Sequence, residues 1–203
     1  SLPLTYFTSQ NKPSPMTAPS FTMLLRKHLQ NGRITGITQP GLERIIELHV
    51  EHYNDMGDLC RKRLIIELMG KHSNIIFVNE DNKIIDSIKH ISHQVSSVRE
   101  VLPGRTYVYP PAQEKENPLD IDINYFMNHV LRKPVSVTKA IYTSLTGLSP
   151  VIANEICYRA GVDGGMSTAG LSMQEQEDLY AAFDAMRTSI KEEQFAPCIA
   201  YQG

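Results

Sequence analysis

From Arg33 to Ile88 the chain repeats short runs rich in isoleucine and valine, each closed by turn-forming residues. Past residue 119 the spacing of its apolar residues becomes helical. A chain with this order has to fold as an α+β protein, with a strand-rich layered domain first and a helical one after it. Antiparallel strands are predicted at about 33–38, 43–53, 59–69, 74–79 and 83–88. Pro40-Gly41, Asn54 to Asp58, Gly70 to Ser73 and Asp81-Asn82 supply the turns. In the second strand Ile46, Leu48 and Val50 share one face and Glu47 and His49 the other, which predicts a half-buried sheet.

Ahead of the strands, Ser20 is positioned to cap a helix carrying Phe21, Leu24, Leu25 and Leu29, with Gly32 ending it. Behind them, the polar stretch Gln113 to Pro118 marks a domain boundary, giving an α+β domain over 1–118 and a helical domain over 119–195. Helices are predicted at about 121–132, 135–145, 149–160 and 172–194. Pro134 stops the first, Gly161 ends the third, and Ser172 with Glu175 forms a capping box for the last. The last helix turns Leu179, Ala182, Phe183 and Met186 inward. Ser1 to Thr8 carry no basic region and no long apolar run, and read as an internal strand instead of a signal peptide. Residues 196–203 read as the start of a following segment.

The composition is globular, 41% hydrophobic with no Trp, and the longest apolar runs fall far short of a membrane span. Cys60, Cys157 and Cys198 form no C-x-x-C pair, which points to a reducing, cytoplasmic setting without disulfides or structural zinc. His49 with His52 and His90 with His93 are the closest histidine pairs, and neither has a third ligand at convincing spacing, so no metal or other cofactor is expected. No nucleophile elbow, phosphate-binding loop or zinc-protease motif is present, and the chain is not expected to be an enzyme.

The net charge of −2 predicts no polyanion partner by itself, so any basic surface must be local. Basic residues concentrate in the first domain, at Arg26-Lys27-His28, Arg61-Lys62-Arg63, Lys71-His72, Lys89-His90, Arg99 and Arg105. They read either as solvated faces or as a phosphate-binding surface, with Arg26, Lys27, Lys71, His72, Lys89 and Arg99 as candidate RNA contacts. The turn Lys71-His72-Ser73-Asn74 reads first as a structural connection in which His72 contributes to stability. Leu145-Thr146-Gly147-Leu148-Ser149-Pro150 resembles a helix-hairpin-helix turn, which would bring Gly147, Ser149 and the following helix N-terminus to a phosphate. Ser149 stands where that motif has a second glycine.

Met23-Leu24-Leu25-Arg26-Lys27-His28-Leu29, Gln39-Pro40-Gly41-Leu42-Glu43-Arg44-Ile45, Glu67-Leu68-Met69-Gly70-Lys71-His72-Ser73-Asn74, Ile85-Asp86-Ser87-Ile88-Lys89-His90 and Val101-Leu102-Pro103-Gly104-Arg105 occur in order. Together they resemble the NFACT (RqcH/fibronectin-binding-protein-like) family, from its amino-terminal domain past the opening strands into the helix-hairpin-helix domain. The resemblance implies a fold similar to the amino-terminal and helical domains of formamidopyrimidine-DNA glycosylases. It also implies a role in ribosome-associated quality control: binding the stalled large ribosomal subunit through rRNA and recruiting charged tRNA for template-free C-terminal tailing, in bacteria with alanine. An acidic-Arg pair linked to tRNA engagement in that family maps onto Glu43 and Arg44, where Glu43 keeps the charge and adds a methylene. The family's older name implies a second function, a surface adhesin binding fibronectin or fibrinogen. Glycosylase chemistry would need an amino-terminal proline with a neighbouring glutamate, and Ser1-Leu2-Pro3 offers no such start.

Overall fold

The computed structural model describes residues 5–111 and 114–198. Its contacts divide the chain into two compact units, Ser1–Pro111 and Ala112–Gly203. In the first unit, helix α1 (Ser20–Leu29) precedes strands β1 (Arg33–Thr38), β2 (Ile45–Tyr53), β3 (Leu59–Glu67), β4 (Asn74–Val78) and β5 (Ile84–Ser87). The strands form one antiparallel meander in chain order, so the molecule is α+β.

The turns close for reasons visible in the chain. Asn54 accepts the Met56 and Asp58 N–H groups on its side-chain oxygen, and Gly57 takes a positive φ of 87° in the same turn. Between β4 and β5, Asn79 Oδ1 accepts the Lys83 N–H and Asn82 takes the positive φ, 59°. Beyond β5 the chain returns as a strap over the sheet, joined to it by Ile84 N–H to Arg105 O, Gly104 N–H to Ile84 O and Tyr107 N–H to Asn82 O. Its Val101 and Tyr107 complete a core with Ile45, Ile65, Ile76, Val78 and Ile84.

That core lies on the Glu47 and His49 face of β2, and the Ile46, Leu48 and Val50 face is partly covered as well. Register pairs Ile45 with Glu67, Glu47 with Ile65 and His49 with Arg63, so these residues share one face. The face with Ile45 and Glu47, 1% and 3% exposed, lies under the strap, whereas on the other Ile46 and Leu48 are half-buried and Val50 is 6% exposed. Alternation marks two faces without saying which meets the strap. The carboxylates tolerate burial because arginine and tyrosine partners reach them from β3 and the strap.

Three local expectations are also corrected. Ser20 lies inside α1 and Pro19 holds the cap position, with no side-chain cap bond. β2 begins at Ile45, so Glu43 and Arg44 precede the strand. Thr5 to Thr8 run as exposed irregular chain instead of a strand, while residues 1–4 and 199–203 lie outside the described residues.

In the second unit, Glu116 pairs in parallel with Leu145, exchanging backbone bonds with Ser144 and Thr146. The stretch before residue 118 therefore belongs with the helices, and the division falls at Pro111. The helix predicted over 121–132 is one α-turn, α2 (Ile123–Tyr125), widening into a π-turn at Phe126–Val130. Leu131 N–H bonds to Phe126 O, which swings Leu131 onto the buried side with Phe126 and Val130; an α-helix would have turned it away. Then follow α3 (Val137–Ser144), α4 (Pro150–Ala160) and α5 (Met173–Lys191). Gly161 ends α4 at φ 69°, and the Ser172/Glu175 capping box starts α5. Leu179 and Phe183 of α5 are fully buried, with Phe183 stacked on Phe126 at 4.8 Å, and Ala182 and Met186 pack beside them. Among the described residues no helix is long and apolar enough to cross a membrane.

Candidate nucleic-acid interface

The register that pairs Ile45 with Glu67 and Glu67 with Asn74 gathers three connections at one end of the sheet. These are the Pro40–Arg44 turn, the Leu68–Ser73 link and the residues following β5. Here Gln39 Nε2 donates to Glu43 O at 2.7 Å, and Glu43 N–H donates to Pro40 O, closing the turn. Leu68 N–H donates to Arg44 O at 2.8 Å, so the Arg44 backbone is tied to the end of β3. Its side chain is exposed, and among the described residues it makes no ion pair or hydrogen bond. Glu43 is half-buried and does not pair with Arg44.

Across from this turn, Lys89 Nζ donates to Lys71 O at 3.0 Å, which sets two exposed ammonium-bearing residues side by side. His72 is exposed as well, and only its backbone is engaged, through its N–H to Met69 O. The stabilising contacts of this link come from its neighbours. Ser73 Oγ accepts from Met69 N–H and donates to Gly70 O. Asn74, 4% exposed, accepts from Lys89 N–H and donates to Lys89 O, both at 2.9 Å. The structural role expected of His72 therefore falls to Ser73 and Asn74. Asn74→Ala should destabilise the chain by about 1–3 kcal/mol, because it leaves the part-buried Lys89 N–H without its partner, while Lys89 O keeps the Ser87 hydroxyl. His72→Ala should change stability by no more than about 0.5 kcal/mol, and urea unfolding of the two variants measures the difference.

Directly beneath lies a polar cluster inside the core. Glu67, 1% exposed, receives both arms of the Arg99 guanidinium at 2.9 and 2.5 Å and the Tyr107 hydroxyl at 2.9 Å. Arg99 also donates to Val108 O. Farther along the same face Glu47 takes Arg63 Nη1 at 2.9 Å and the Tyr109 hydroxyl, and His49 Nε2 lies 3.9 Å away. Burial first, then the charge of Glu67, pushes the Tyr107 phenol well above its ordinary range, so it stays a donor. Tyr109 is raised in the same way beside Glu47.

Of the sequence candidates, Glu43, Arg44, Lys71, His72 and Lys89 are brought together at this sheet end. Arg99 is not available to a polyanion, since its donors are committed to Glu67 and Val108 O. Arg26 and Lys27 are exposed on the last turn of α1, which leads into Arg33 beside Glu51, at the far end of β2. Gly147 and Ser149 lie in the helical unit, where Gly147 has φ 77° and Ser149 Oγ caps α4 by accepting from Ile152 N–H. Glu155, one turn on, is paired with Arg159 at 2.7 Å. His90 and His93 bond to Asp86 and Glu100. Sequence reasoning missed Glu47, Glu67, Tyr107 and Tyr109, although the continuous apolar run Leu64-Ile65-Ile66 signalled a strand covered on both faces.

An antiparallel meander under a strap, followed by a helical unit, with basic side chains at one sheet end, defines a two-unit α+β protein. The family described as NFACT N-terminal and middle domains matches residues 1–203, and the chain belongs to that family. It is 37% identical over 195 residues to the Rqc2 homolog RqcH of Bacillus subtilis, covering 96% of this chain and 32% of that protein. The chain thus spans about a third of that relative's length. Among solved structures, a fibrinogen binding protein from Staphylococcus aureus superposes with a TM-score of 0.71 at 32% identity, over 87% of this chain and 60% of that one. The N-terminal part of a fibronectin/fibrinogen-binding protein from Streptococcus suis superposes with a TM-score of 0.68 at 33% identity, over 87% and 62%.

Proposed function

We propose that this chain is the tRNA-engaging part of a cytoplasmic, ribosome-associated quality-control factor. The observation that carries the proposal is Arg44, exposed on a backbone tied down at both sides, at the same sheet end as Lys71, His72 and Lys89. A guanidinium held on a rigid sheet end can read a planar base edge or a phosphate through two parallel bonds, while the lysines add charge attraction to neighbouring phosphates. Kinship with proteins named Rqc2 homologs supports the same reading. The factor binds the stalled large subunit through rRNA and brings charged tRNA, the ribosome's own RNA performs peptidyl transfer, and the protein is a binding factor, not a catalyst. We read the α3–α4 turn as a helix-hairpin-helix contact to a phosphate, in a fold similar to the glycosylase amino-terminal and helical domains.

Lys71→Glu with Lys89→Glu should weaken tRNA binding and flatten its salt dependence, each lost phosphate contact lowering the log–log slope by roughly 0.7–0.9. Filter binding across a salt series reads this, and an unchanged slope counts against the sheet end. The names of the solved relatives favour a second reading, an adhesin for fibrinogen or fibronectin. Co-sedimentation of the full-length protein with large ribosomal subunits, against its recovery on immobilised fibronectin, separates the two.

A further inference from the structure

On the opposite face of the sheet from the buried carboxylates, three basic side chains meet. Lys62 Nζ lies 2.5 Å from His52 Nε2 and 3.1 Å from His28 Nδ1. His52, 7% exposed, directs Nδ1 at Tyr53 O, 3.1 Å away, so that nitrogen carries the proton and Nε2 is left as an acceptor. The ammonium of Lys62 therefore donates to two neutral imidazoles. Among the described residues Lys62 has no carboxylate within ion-pair distance. The Phe77 ring lies beneath, 5.9 Å from the His28 ring and 6.0 Å from Lys62 Nζ.

His28 belongs to α1, and α1 has no fully buried residue of its own. Phe21, Leu24, Leu25 and Leu29 are half-buried, and His28 supplies the helix's side-chain polar tie to the sheet. We propose that His28, His52 and Lys62 form a proton-sensitive latch, which holds α1 against the sheet while the His28 imidazole is neutral and releases it when that ring is protonated. A protonated imidazole loses its acceptor lone pair and turns a hydrogen bond into two like charges about 3 Å apart.

The surroundings do not offset such a charge. Lys27 on α1, His52 on β2 and Lys62 on β3 all disfavour a proton on His28, and among the described residues Asp55 in the β2–β3 turn favours one. Lys62 itself is opposed by burial and assisted only by the more distant Cys60 and Glu80. Burial first, then Lys62 and His52, holds His28 below the ordinary imidazole value. The folded state thus binds this proton less readily than the unfolded chain. The latch is complete above about pH 6.5 and is lost as pH falls through the lowered value.

Hydrogen exchange of the α1 amides in this chain, corrected for intrinsic rates, tests the latch at steps between pH 7.5 and 5.0. Protection of Met23 to Gln30 should fall at least tenfold across that range, while β3 and β4 stay protected. His28→Gln, which keeps an acceptor for Lys62 and takes no proton, should remove most of the fall. Lys62→Met, which keeps the stem over Phe77 and removes both the donor and the cation, should also remove most of the fall. Flat α1 protection in the unaltered chain, or an undiminished fall in either His28→Gln or Lys62→Met, overturns the proposal. If a variant fails to fold, the His28 ring titration by NMR in the unaltered chain decides: a midpoint coincident with the fall in α1 protection upholds it, a separate one overturns it.

Discussion

Replacing Arg44 with lysine should weaken tRNA binding about ten- to a hundredfold, the equivalent of losing a bidentate contact worth about 1–3 kcal/mol. Lysine keeps the charge and the reach, but a rotating ammonium cannot present two parallel donors. General, salt-dependent RNA binding should therefore survive in Arg44→Lys, and only the specific component should go. Because the Arg44 side chain is exposed and the turn is held by backbone bonds and Gln39, Arg44→Ala should leave stability within about 0.5 kcal/mol. In the full-length protein we expect Arg44→Lys to lose tRNA recruitment and tail synthesis while still joining the large subunit. Normal tailing by a well-folded Arg44→Ala protein would remove Arg44 from the site.

The second large effect concerns stability. Arg99→Met should destabilise the first unit by about 3–5 kcal/mol, because it leaves the Glu67 carboxylate buried with the Tyr107 hydroxyl alone. The side chains of Arg99 and Glu67 are 13% and 0% exposed, so solvent screens the loss very little. Adding Glu67→Gln to Arg99→Met should restore part of the stability, since the uncompensated charge is then gone. Urea unfolding of the single and double variants measures both steps. A loss under about 1 kcal/mol in Arg99→Met would show that the strap is held by its apolar residues, Val101 and Tyr107, and that the ion pair is incidental.

Much of the fold was legible residue by residue. The five strands appear where isoleucine and valine runs alternate with turns, and Asn82 and Gly161 stand at positive φ where the sequence placed a turn and a helix end. The apolar spacing of α5 and its Ser172/Glu175 start were equally readable, as was the family resemblance. The broken α2 was not, because a π-turn answers to Leu131 having to share a face with Phe126, which no local pattern announces.

The candidate site divides along the same line. Glu43 and Arg44 could be named from their own segment, but their exposure and their place before β2 could not. Nor could the exclusion of Arg99, whose partner Glu67 lies 32 positions away, or the role of Tyr107, 40 positions from that same carboxylate. What the sequence determined alone was local conformation: backbone preference, period and turn chemistry act over a few residues and are written in them. Which sheet face is buried, which arginine is spent on a core carboxylate and which remains free at the sheet end were decided only by the tertiary structure. Alternation is symmetric between the two faces, and the free energy of a charge depends on the partner and solvent it meets across the fold.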